Sequence, residues 1–81
     1  MDYPVHRFIK TNLDMTPYAF SKATGISQQS LSSWKSSNRM VNKLPIQLLI
    51  AFVSMSNKNY EEVIILLLRY EMDYQDFLRS L

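Results

Sequence analysis

The side chains best suited to recognising another molecule are amides and hydroxyls in one acid-free segment. Gln28 and Gln29 stand side by side, and Ser32 and Ser33 follow them four residues later. A glutamine amide can form two hydrogen bonds with the major-groove edge of adenine, and a serine hydroxyl can bond to any base edge. The four residues are therefore candidate readers of DNA bases. The plain alternative for the two glutamines is a solvated helix start.

The charge distribution supports a surface that faces phosphate. The net charge is only +2, but Lys and Arg outnumber acids by five through Asn59, whereas acids outnumber them by three beyond it. No Asp or Glu occurs between Met15 and Tyr60, so no carboxylate there opposes a polyanion. An ordinary solvated face that lacks acids is the alternative. The candidate contacts with the DNA backbone are Thr16, Lys22, Ser27, Ser30, Lys35, Asn38, Arg39 and Lys43.

Caps and apolar spacing predict the helices that must position these side chains. Thr16 can cap a helix over residues 17–24, Gly25 suits its left-handed end, and Ser27 can cap a second helix over residues 28–36. We expect Phe20 and Ala23 to point inward and Ile26, Leu31 and Trp34 to anchor the second helix. Further helices are predicted over residues 4–13, 45–54 and 60–70. Residues 73–81 form a sixth helix or continue the fifth, since no Gly or Pro separates them.

The segment around Gly25 resembles the Cro/repressor-type (XRE, lambda-repressor-like) helix-turn-helix family of phage and bacterial regulators. The resemblance is carried by Phe20, Gly25, Ile26, Ser27, Gln28, Gln29, Ser30, Leu31 and Trp34. It extends weakly over about residues 3–70, and the last residues lie outside the common pattern. It implies an all-α, lambda-repressor-like fold of five to six helices with the helix-turn-helix at about residues 16–36, and we expect residues 1–81 to form this single domain. It also implies that Gln28 and Gln29 read base edges. Several positions depart from the pattern, and among them Pro17 and Lys35 stand where the family often has Gln and Glu.

The C-terminal third carries more apolar residues than one small core can bury. Six consecutive aliphatic residues run from Val63 to Leu68, and aromatic residues follow them. We expect residues 60–81 to form a two-fold homodimer interface. The alternative is a monomer whose last helix completes its own core. The candidate interface residues are Ile65, Leu68, Tyr70, Tyr74, Phe77, Leu78 and Leu81.

The sequence contains no motif typical of other classes of function. Cysteine is absent and His6 is the single histidine, so we expect no metal site, no catalytic site, no cofactor and no small-molecule ligand. The aliphatic run is much shorter than the ~20 residues of a membrane span, and no signal peptide is recognisable, so a cytoplasmic location is expected. The resemblance implies that the protein is bacterial or phage-encoded. The sequence predicts a Cro-like repressor that binds double-stranded DNA and is not an enzyme. The alternative is a protein-interaction module, such as an antitoxin or an accessory subunit.

Overall fold

The computed structural model describes residues 3–36 and 41–81, apart from the side chains of residues 33–36 and 42. Over these ranges the chain is all-α, as predicted, and contains no strand. No helix of the described ranges is both long and apolar enough to cross a membrane. The helices are α1 (Pro4–Asn12), α2 (Pro17–Thr24), α3 (Gln28–Ser36), α4 (Ile46–Ser56) and α5 (Tyr60–Arg79), with a 3₁₀ turn at Val41–Lys43 between α3 and α4.

Local hydrogen bonds fix both ends of α2, and its predicted bounds are confirmed. The Thr16 hydroxyl accepts a hydrogen bond from the Ala19 N–H at 3.1 Å, and Pro17 takes the first helical position. Gly25 ends the helix in the left-handed region with φ of 77°, and its N–H donates to the Ser21 carbonyl at 2.9 Å. Only residues 25–27 separate the end of α2 from the start of α3 at Gln28.

Three phenylalanines form the centre of the core. The rings of Phe8 on α1 and Phe52 on α4 stack with their centroids 4.3 Å apart, and the Phe20 ring of α2 lies 5.4 Å from Phe52. All three side chains are completely buried. Ile26 and Leu31 are also buried, so they anchor the start of α3 to this core as expected, whereas the side chain of Trp34 lies outside the described residues. Ala23 was expected to point inward, but it is exposed because it lies on the outer side of α2.

α4 begins one residue later and ends two residues later than predicted. Pro45 precedes the helix in an extended conformation with φ of −62° and ψ of 142°, and Asn57 ends the helix in the left-handed region with φ of 57°. Leu48 and Leu49 are buried. The helix contributes one face to the core and leaves the other face to solvent.

The C-terminal residues form one continuous helix rather than two. The Asn59 side chain caps α5 by accepting a hydrogen bond from the Glu62 N–H at 2.8 Å, and the helix then runs to Arg79. The predicted start of a sixth helix at Asp73 is wrong. The structure has the alternative, in which the fifth helix continues. The Asp73 carboxylate pairs with the Arg7 guanidinium of α1 at 3.0 Å instead of capping a helix.

Aromatic contacts attach the second half of α5 to α1. The Tyr70 hydroxyl donates to the Asn12 side-chain oxygen at 2.6 Å, and the Arg7 guanidinium lies 4.3 Å from the centre of the Tyr70 ring. The rings of Tyr74 and Tyr3 lie 4.6 Å apart. A hydrogen bond with the Tyr3 hydroxyl, together with burial, raises the pKa of Tyr74 above its ordinary value of 10.0.

Candidate nucleic-acid interface

The first turn of α3 is stabilised by two serines and presents two amides to solvent. The Ser30 N–H donates to the Ser27 hydroxyl oxygen at 3.1 Å, and the two hydroxyls are 3.0 Å apart within hydrogen-bond distance. Gln28 and Gln29 lie between these serines and are both exposed. Because the cap and the buried Leu31 hold the backbone, the amides project from a fixed helix start. This exposure is required of any residue that enters a groove.

The other two candidate base readers lie one turn further along α3. Ser32 is exposed. Ser33 belongs to α3 by its backbone, but its side chain lies outside the described residues, and the same holds for Lys35 among the candidate backbone contacts. Asn38 and Arg39 lie entirely outside the described residues.

Thr16 and Lys22, the candidate backbone contacts at the two ends of α2, each have a contact within the chain. The Thr16 hydroxyl is the cap of α2, so the Ala19 N–H that it binds already has an acceptor, and Pro17 has no N–H to offer. The exposed Lys22 lies with its amine 5.4 Å from the centre of the exposed Tyr18 ring. Of these residues, Lys22 is the one whose charge remains available to a phosphate.

Lys43 lies on the 3₁₀ turn that follows α3, and it is exposed. The turn packs against α5. Its first residue, Val41, is buried and donates its backbone N–H to the Glu71 carboxylate of α5 at 3.3 Å. Sequence reasoning did not include Glu71 in any site, because a contact between residues thirty positions apart leaves no local pattern.

The candidate dimer residues divide into two groups. Ile65, Leu68 and Leu81 are exposed, and Phe77 and Leu78 are partly buried. Tyr70 and Tyr74 do not belong to a free surface, because their rings are buried against α1 in the same chain. The interface prediction is therefore corrected for these two tyrosines, which complete the chain's own core.

Met72 is an exposed apolar residue of α5 that the prediction missed. Its side chain is 67% exposed, and it lines a shallow groove of about 340 Å³ together with Ile65 and Leu68. Arg69, Asp73 and Asp76 form the charged part of the groove. The spacing of 65, 68 and 72 is a helical stripe, which the assumed break at residue 73 obscured. We call Ile65, Leu68 and Met72 the α5 stripe.

A second apolar surface lies on α4, where the sequence predicted none. Ile46 and Ile50 are each about 60% exposed, and Met55 is also exposed. With Ala23 of α2, Ile50 and Met55 line a groove of about 290 Å³. Leu48, Leu49 and Phe52 form the buried side of α4, whereas Ile46 and Ile50, four residues apart, share its outer side.

Comparison of the chain with family models, curated proteins and solved structures finds no match.

Proposed function

We propose that this chain is a sequence-specific DNA-binding regulator of the Cro/repressor type, in which α2 and α3 act as a helix-turn-helix. One observation carries the proposal: the amides of Gln28 and Gln29 are exposed on the first turn of a helix that a serine cap and a buried leucine hold in place. The first turn of a recognition helix is the part that reaches base edges in the major groove. The absence of acids between Met15 and Tyr60 supports the same role.

The proposed contacts fall into two layers. Gln28 and Gln29 read base edges, with Ser32 beside them, because amides and hydroxyls can match donors and acceptors in the groove. Lys22 and Lys43 bind phosphates, which sets the register on the duplex but conveys little sequence information.

Dimerisation through the α5 stripe would place two recognition helices on one site. The stripe is exposed, apolar and continuous on the longest helix of the described chain. In a two-fold dimer the same patch of each copy meets its counterpart. We expect a nearly palindromic operator with half-sites about 10 bp apart, centre to centre.

Selection from a random oligonucleotide pool, followed by titration of the selected duplex, tests the DNA-binding proposal. Gln28→Ala or Gln29→Ala is expected to weaken specific binding by about 1–3 kcal/mol while leaving binding to random DNA unchanged. Gln75→Ala, on α5 and away from α3, is the matched control. The proposal fails if the wild-type chain shows no salt-dependent binding to duplex DNA, or if the α3 variants bind like the control.

The mass of the chain in sedimentation equilibrium tests the dimer. We expect a dimer for the wild type and a monomer for Ile65→Glu, because two carboxylates would meet in an apolar contact. Ile50→Glu places the same charge at a similarly exposed position on the α4 surface and should remain dimeric. A dimeric Ile65→Glu variant would contradict an interface at the α5 stripe.

A second candidate is a protein-interaction module with DNA binding secondary or absent. The observation in its favour is the second apolar surface, with Ile46, Ile50 and Met55 exposed on α4. Monomeric proteins seldom expose large contiguous apolar patches without a partner. DNA binding that is undetectable, or that does not weaken with salt, would favour this candidate.

A further inference from the structure

A hydrogen bond links α5 to the 3₁₀ turn that follows α3. The Glu71 carboxylate accepts it from the Val41 N–H at 3.3 Å. The Val41 side chain is buried as well and lines an apolar cavity of about 270 Å³ with Leu49 and Leu68. Both the backbone and the side chain of Val41 are therefore fixed by the rest of the chain.

Glu71 itself has a rigid support. The residue before it, Tyr70, bonds to Asn12 of α1, and Asp73 two residues later pairs with Arg7 of the same helix. This part of α5 is thus attached to α1 on both sides of Glu71. A side chain on a rigidly packed helix can position a turn more accurately than contacts within the turn alone.

The negative charge of Glu71 makes it possible to distinguish a positioning role from an electrostatic one. Val41 lies in the acid-free segment, and Lys43 is two residues further on. A carboxylate near a phosphate-binding surface weakens the attraction to DNA. If Glu71 contributed only its charge, removing that charge would strengthen DNA binding.

We propose that Glu71 is a positioning residue for DNA binding, which holds the Val41–Lys43 turn so that Lys43 meets a phosphate. This inference rests on the proposed function and assigns to it a residue that touches no DNA. The carboxylate acts through the hydrogen bond that it accepts from the Val41 N–H, whereas its negative charge opposes DNA binding.

Two variants separate the effect of the Glu71 side-chain length from the effect of its charge. Glu71→Gln keeps an oxygen at the same distance from the backbone and removes the charge, whereas Glu71→Asp keeps the charge and shortens the side chain. We expect E71Q to bind the selected duplex at least as tightly as the wild type. We expect E71D to bind it on the order of tenfold more weakly, with the salt dependence reduced by about one phosphate contact. Glu61→Gln, which removes an exposed charge from the start of α5, is the matched control.

Two further measurements tie the effect to the turn. Hydrogen exchange of the Val41 amide should be faster in E71D than in the wild type, and unchanged in the Glu61 control. In a Lys43→Ala background, E71D should change the affinity less than about twofold, because the contact that it positions is already gone.

The possible failures are distinct. If the wild type binds DNA but E71D binds as tightly, or if E71Q is the weakened variant, the positioning role is overturned and the proposed function stands. If the wild type does not bind DNA at all, the proposed function fails and the positioning role fails with it.

Discussion

The turn between α2 and α3 permits a prediction whose magnitude can be worked out from one backbone angle. Gly25 has φ of 77°, and a Cβ added there would meet no atom within 4 Å. Gly25→Ala therefore creates no clash, and its whole cost is the left-handed backbone, about 1–2 kcal/mol for a residue with a Cβ. The smaller entropy of the unfolded alanine chain offsets part of this, about 0.4–1 kcal/mol. We expect a net loss of roughly 1 kcal/mol.

Urea denaturation followed by circular dichroism measures this loss of stability. In thermal denaturation, the Tm of a domain of this size should fall by about 4–8 °C for each kcal/mol lost. Gly25→Asn should cost less, because asparagine tolerates left-handed φ, as Asn57 does at the end of α4. Asn57→Gly is the matched control and should leave the chain as stable or slightly more so. A Gly25→Ala loss above about 3 kcal/mol would refute the reasoning, since it would require a steric contact that the turn does not contain.

Three more predictions concern α5. Tyr70→Phe removes the hydrogen bond to Asn12 and should cost about 1–2 kcal/mol in urea denaturation, part of it because the amide oxygen loses its partner. Asn59→Ala removes the cap of α5 and should cost about 1 kcal/mol, whereas Asn59→Ser should restore most of it. The raised pKa of Tyr74 means that its stabilising contribution is present below pH 10 and is lost as pH rises through the folded-state pKa. Unfolding at pH 8 and at pH 11 should therefore differ more for the wild type than for Tyr74→Phe, whereas Tyr18→Phe, at an exposed ring, should behave like the wild type.

The helix ends were predictable because each depends on neighbours within a few residues. The Thr16, Ser27 and Asn59 caps each accept the N–H of the residue three positions later, and Gly25 closes α2 through its own φ. Such interactions form with little dependence on the rest of the chain, so residue type and spacing determine them. The exposure of Gln28 and Gln29 was predictable for the same reason, since the apolar residues around them assign the buried side of α3.

The packing of α5 was not predictable, because its partners are distant in sequence. Periodicity marks Tyr70 and Tyr74 as apolar positions, but it does not state whether they meet α1 of the same chain or a second copy. The answer depends on Asn12 and Tyr3, which lie more than fifty residues away. The same distance in sequence explains the wrong prediction of a cap at Asp73. Its carboxylate could cap a helix, but it pairs with Arg7 of α1 instead.

The burial pattern of α5 separates the residues of the core from those of the α5 stripe, and under the proposed function this separation determines how DNA occupancy depends on chain concentration. Val63 and Leu67 are completely buried in the core of one chain, whereas Ile65 and Leu68 remain exposed on the same helix. The core is therefore formed within one chain, and association through the α5 stripe would use a surface that this core leaves exposed. Under the proposed function, occupancy of a palindromic site would then rise with the square of the free chain concentration wherever monomers predominate. A monomeric Ile65→Glu variant should keep the unfolding midpoint of a dilute wild-type sample, because Ile65 lies outside the buried core, and should lose only this second-order dependence. Folding and DNA occupancy can then be measured as separate properties.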